Sequence, residues 1–279
     1  MKPALAALLT AGLLLSLPQF AAAQAAAAPS CLAPDAVPAT VLDAPFLVFG
    51  EVHGTREVPG FVAGYLCAAA KAGRKLTLAL EYPSTEQAAL DAFMASGGSA
   101  QDAERFTGAG IWRSPKQDGR TSIDMLRMFE TVRALRAGGT DIRVVAIDAD
   151  VAPARRDAVM ADNLRGELRQ GAGRQLVTLI GGLHAVRNKG NRFNPHYESA
   201  IYLVADQKPL TLTVGTAGGT AWVCRSGNPA SCNATTWDIN KVTPAPATAF
   251  SLVPPSPQFD GVFYVGATTA SPPAVSNAR

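Results

Sequence analysis

Short hydrophobic runs alternate with longer amphipathic stretches along this chain, and four of the runs end in an acid or lead into a histidine. Phe46–Gly50 runs into Glu51-Val52-His53-Gly54, and Leu76–Leu80 into Glu81. Ile142–Ile147 runs into Asp148-Ala149-Asp150, and Leu176–Ile180 into Gly181-Gly182-Leu183-His184. Runs of this length between turn residues read as buried strands. Val58 to Ala72 predicts a helix stopped by Gly73, and Ser84-Thr85-Glu86 opens another, with Ser84 as N-cap. Thr121 or Ser122 caps a third, whose Met125, Met128, Phe129, Val132 and Leu135 recur at helical spacing. Pro153 to Arg169 and a short stretch around Tyr197 to Val204 add two more before a fifth strand, Leu210 to Val214. This order predicts an α/β fold: a mainly parallel sheet flanked by helices. Residues 96–122 are polar and Gly-rich, an irregular insertion expected to form a lid or one wall of a binding site. Ala221–Cys224 and Gly261–Val265 read as C-terminal edge strands. Residues 244–258 hold five prolines, which excludes a central strand.

The N-terminal stretch stands apart. Lys2, the apolar Ala4–Leu17 and the small-residue site Ala21-Ala22-Ala23 read as a signal peptide over residues 1–23. An Ala- and Pro-rich arm (24–41), a single α/β domain (42–270) and a tail (271–279) complete the expected organisation, in a periplasmic or secreted protein. The formal charge of +3 includes Lys2, and basic residues are scattered, which argues against nucleic acid as a partner. No later segment is apolar enough for a membrane span. Four cysteines in an exported chain suggest two disulfides. Cys224 and Cys232 flank a turn-rich loop and read as a stapled hairpin, which leaves Cys31 with Cys67; other pairings remain open. The absence of any CxxC pair argues against a zinc site built from them.

Ligands of open parallel sheets bind beyond the carboxyl ends of the strands, so Glu51, His53, Glu81, Asp148 and His184 are expected to converge there. Glu51 and His53 share a face of extended chain, between Gly50 and Gly54. The Glu51/His53 pair alone reads equally as a surface acid and histidine, and Glu81 alone reads more as a strand-end surface charge. His184 could be a satisfied structural residue but, as one of two histidines at strand ends, reads as functional; their common position argues for chemistry. Two adjacent carboxylates would share a proton or a cation. Arg56 and Glu57 follow the first cluster. Asp118 and Arg120 read either as a turn or as groups reaching in from the insertion. Asp148 and Asp150 compete between ligand and helix cap, and His196 falls in a loop. A G-x-S-x-G elbow, a Walker loop and a dinucleotide fingerprint are all missing, which disfavours serine hydrolases and nucleotide enzymes.

Gly50-Glu51-Val52-His53-Gly54-Thr55-Arg56-Glu57, the strand ending in Glu81, Gln117-Asp118-Gly119-Arg120 and Gly181-Gly182-Leu183-His184 together resemble the superfamily of erythromycin esterases, Tiki proteases, TraB proteins and ChaN-type haem-binding proteins. The resemblance spans roughly residues 46–204. It implies a mainly parallel α/β core with two Glu and two His at strand ends. It also implies one of three activities: lactone opening with a His base, metal-dependent proteolysis, or haem binding. GExHG and GxxH look like the hydrolytic branches, while the Asp-Gly-Arg stretch and the chain size look like the ChaN branch. No motif carries haem ligands over; Tyr82 and Tyr197 are candidates by residue type alone.

The expected function is therefore an exported hydrolase acting on an ester or amide bond of a small-molecule or peptide substrate. His53 would be the base that activates water, and His184 or Arg56 would stabilise the oxyanion. Glu51 and Glu81 would orient His53, or hold a divalent metal with His184. Asp148 would support the cluster. The alternatives are a periplasmic haem- or metal-binding protein without catalysis, and an exported module with a degenerate site.

Overall fold

A computed structural model describes residues 31–275 apart from 172, 192 and 227. The expected signal peptide and residues 24–30 and 276–279 lie outside the described residues.

Nine strands and seven α-helices are described. In chain order they are α1 (Ala39–Leu42), β1 (Phe46–Glu51), α2 (Glu57–Lys71), β2 (Leu76–Pro83), α3 (Gln87–Ala95), α4 (Ala100–Thr107), α5 (Ile123–Ala137) and β3 (Ile142–Asp148). There follow α6 (Pro153–Gln170), β4 (Gln175–Gly181), α7 (Ala200–Leu203), β5 (Leu210–Gly215), β6 (Thr220–Cys224), β7 (Cys232–Thr236), β8 (Phe250–Ser251) and β9 (Gly261–Tyr264).

Seven strands form one sheet in the order β3-β2-β4-β1-β5-β9-β8. All neighbours pair in parallel except β8 with β9. A parallel sheet needs both faces covered, and β1 shows how: Leu47 and Phe49 pack into the core under α2 and α5, while Phe46 and Val48 pack into the core under α6 and α7. All six β1 residues are buried. Because β4 is inserted between β1 and β2, the segment leading to His184 leaves the sheet between the two Glu-bearing strands. Register aligns Glu51 with Gly181, and Leu80, just before Glu81, with Leu179.

Several elements differ in detail from the sequence reading. Ser84 opens a 3-10 turn rather than capping a helix, and α3 has Glu86 at its N-cap with no side-chain bond. Ser122 caps α5 as expected, accepting from the Met125 amide. The insertion is not wholly irregular: α4 carries a Ser99/Asp102 capping box. Its Phe106 stacks on Phe93 and packs edge-on against Trp112 and Phe129, which roots the insertion in the core. The strand Ala221–Cys224 leaves the main sheet to form a hairpin with β7, and β9 lies inside the sheet with the two-residue β8 at its edge. Aspartates do not cap α6: its N-cap is Ala152, and Asp150 is exposed. Disulfides join Cys31 to Cys67 and Cys224 to Cys232. Residues 271–275, assigned to the tail by sequence, include the fully buried Ser271. No helix among the described residues is long and apolar enough to cross a membrane.

Candidate active site

The carboxyl ends of β1, β2, β3 and β4 bring Glu51, His53, Glu81, Asp148 and His184 into one hydrogen-bonded network. Glu81 is its centre. It is buried, and its Oε2 accepts the Gly181 amide at 2.7 Å and lies 3.4 Å from His53 Nε2. Its Oε1 accepts from Arg156 Nη2 at 2.5 Å and lies 3.8 Å from His184 Nε2. The two imidazoles therefore face opposite oxygens of one carboxylate.

Each histidine has a second acid on its other nitrogen. His53 Nδ1 lies 2.9 Å from Glu51 Oε1, and His184 Nδ1 lies 2.7 Å from Asp157 Oδ1. Asp157 is held in turn by the Ala200 amide at 2.8 Å and the Tyr197 hydroxyl at 2.9 Å. That network assigns the His184 proton to Nδ1 and leaves the Nε2 lone pair facing Arg156 Nη1 at 3.3 Å.

Two arginines complete the cluster. Arg156 donates Nε to Asp148 at 2.9 Å, and Arg120 chelates Asp118 through Nε at 3.0 Å and Nη2 at 2.8 Å. Arg120 Nη1 also reaches the Glu81 carbonyl at 3.1 Å and Asp148 Oδ2 at 3.4 Å. The buried Tyr82 hydroxyl donates to the Arg120 carbonyl. Burial alone would lower the His53 pKa, but the carboxylates of Glu81 and Glu51 outweigh it and push it up to about 10. Burial would raise Glu81, yet His53, His184 and Arg120 hold it well below the usual carboxylate range. Arg120 likewise overcomes burial to hold Asp118 low.

A cleft of about 390 Å³ opens beside the network. Arg120, Asp148 and Arg156 line it together with Ile111 and Ser114 of the insertion and Val151. The insertion thus supplies a wall, as its composition predicts.

Other candidates lie apart from this network. Arg56 is exposed, and the Glu57 carboxylate accepts the Thr269 amide. His196 is exposed on its loop. Three members of the network escaped the sequence reading as site residues for this chemistry: Arg156, Asp157 and, in its role on Asp157, Tyr197. Arg156 and Asp157 resemble surface charges in Arg155-Arg156-Asp157, but they lie near the N-terminal end of the helix after the Asp148 strand end, where Arg156 lines the cleft and Asp157 is buried.

Glu51, Glu81 and His184 do not offer a free donor set to a metal ion. Glu81 is saturated by an amide, an imidazole and a guanidinium, and His184 Nε2 faces a second guanidinium nitrogen. Among the described residues no group of three or more His, Cys, Asp or Glu is arranged to hold a metal. A dication there would have to compete with two half-buried arginines.

The fold is shared with solved structures of low sequence identity. A mutant of the erythromycin esterase EreC in its open conformation superposes with a TM-score of 0.60 at 11% identity, over 84% of this chain and 93% of that one. A succinoglycan biosynthesis protein gives 0.60 at 10% identity, covering 85% and 92%. A Bacillus cereus protein gives 0.57 at 9% identity, covering 84% and 91%. The resemblance drawn from the motifs thus holds at the level of the fold. No family model matches the chain, and no curated protein is similar to it in sequence.

Proposed function

We propose that this protein is an exported hydrolase that cleaves an ester or amide bond with a pair of histidines and without a metal. The observation that carries this reading is the placement of both imidazole Nε2 atoms on one buried carboxylate, with a dedicated acid behind each ring. Such an arrangement suits opposite proton-transfer roles, because the two rings have different environments. His184, oriented by Asp157 with its proton on Nδ1, takes the proton of the attacking water on Nε2 once substrate draws Arg156 Nη1, 3.3 Å away, off that lone pair. His53, held as imidazolium between Glu51 and Glu81, donates to the leaving group. This reverses the role that sequence suggests for His53, because a ring titrating near 10 is already protonated at neutral pH. Arg156 and Arg120, rather than the exposed Arg56, line the cleft and would stabilise an oxyanion formed there. The two disulfides support an oxidising compartment.

Haem carriage is the competing reading. Tyr197, a haem candidate by residue type, is engaged with Asp157 and His184, which argues against it.

The test is a panel of lactones, linear esters and peptides, assayed in chelator with wild type, His53→Ala and His184→Ala. Turnover by wild type should survive chelation and drop about 10²–10⁴-fold in each variant. Turnover that needs added metal, or that is indifferent to His184, overturns the mechanism; stoichiometric binding of haemin without turnover overturns the function.

A further inference from the structure

The hairpin β6–β7 lies outside the main sheet, yet it touches both halves of the site. The Trp222 amide donates to the Gly54 carbonyl at 2.8 Å, one residue beyond His53. The Trp222 indole Nε1 donates to the Gln117 carbonyl at 2.9 Å, at the start of the segment that carries Asp118 and Arg120. The two segments also meet each other. A Cβ on Gly119 would come within 2.4 Å of the Gly54 amide nitrogen, and one on Gly54 within 2.1 Å of the Trp222 carbonyl oxygen. Both glycines have positive φ, at +97° and +74°. One tryptophan thus bridges the loop that aims His53 and the loop that aims Arg120, and its strand is tied by the Cys224–Cys232 disulfide to its partner two residues further on.

The hairpin needs that tie. A lone two-stranded ribbon is marginal in water, and β7 is exposed or half-buried along its whole length. The far end of β6 is anchored by the Thr220 amide on the Thr268 carbonyl. Anchoring and staple together fix Trp222 from both sides.

We propose that Trp222 is a positioning residue and that the stapled hairpin is a clamp setting the geometry of His53 against Glu51 and Glu81. The inference concerns the same site as the proposed hydrolase, so its test reads geometry rather than turnover. The His53 ring is followed by NMR titration in wild type, in Cys224→Ser/Cys232→Ser and in Trp222→Ala, with the Cys31–Cys67 bridge intact and folding checked by far-UV circular dichroism. In wild type the Glu81 and Glu51 carboxylates push the His53 pKa up to about 10. With the clamp released, its midpoint should fall by more than about one pH unit toward the ordinary value, as the ring loosens from its two carboxylates. Hydrogen exchange at the amides of residue 222 and Ser271, which donate to the Gly54 carbonyl, should accelerate in both variants even if either unfolds locally around the hairpin. An unchanged His53 midpoint with unchanged exchange at those two amides overturns the clamp, whatever the protein hydrolyses. Loss of turnover with an unaltered midpoint overturns it too.

Discussion

At the scale of single residues, charge pairing decides what each histidine can do. The His53 cation is maintained by Glu81 and Glu51 against burial. As the acid of the reaction it should make kcat/KM decline as pH rises through about 10. Glu51→Gln removes one of the two raising charges, so the alkaline limb of a pH–rate profile should move to lower pH; a limb that stays in place assigns it to another group. Asp157 acts only through His184. Asp157→Asn would favour the tautomer that protonates Nε2, because an amide can donate to Nδ1. It should lower kcat by about 10²–10⁴-fold with little change in KM, measured on the substrate that the panel identifies.

At the scale of elements, backbone approach explains the glycines around the histidines. A Cβ on Gly181 would sit 3.1 Å from both Glu81 Oε2 and His53 Nε2, so this end of β4 must be bare for the carboxylate to reach its amide. Gly54 is tighter still, since its carbonyl accepts from both Trp222 and Ser271. Gly54→Ala combines a clash with backbone and an unfavourable φ, and should destabilise the protein by about 1–3 kcal/mol or more in urea unfolding. The segment 268–274 contributes as well. Its amides and carbonyls bond Gly54, Arg56, Thr121 and Ile123, and the Ser271 hydroxyl donates to Asp124 at 2.6 Å. Nothing in the Ser- and Pro-containing sequence of that segment has the periodicity of a helix or strand, because its partners are irregular backbone on distant loops.

At the scale of the whole molecule, the site is an electrostatic keystone between four strands, and its protonation is linked to stability. The folded pKa of His53 is raised from 6.5 to about 10, so its contribution is fully present below 6.5 and is lost as pH rises through 10. Glu81 is depressed from 4.5, so its contribution is present above 4.5 and is lost as pH falls. Together the pair contributes most between about 4.5 and 6.5. Denaturant midpoints measured across pH should decline on the alkaline side of that window, and less so in His53→Gln. A decline of equal size in that variant would remove His53 from the linkage.

The sequence by itself determined the class of fold and the strand-end positions of the main site residues, because hydrophobic runs and their polar termini are local properties of the chain. The strand ends carrying Glu51, Glu81, Asp148 and His184 were legible that way, while the cysteine pairing, left open by the sequence, was settled by the fold. Tertiary structure decided which charges meet. Arg156 and Asp157 become part of the site only because the N-terminal end of α6 packs beside the strand ends, and Arg56 drops out because it is exposed beyond β1. The state of His53 was likewise set in three dimensions, since a pKa depends on the distance to carboxylates contributed by separate strands, and no spacing along the chain encodes that distance.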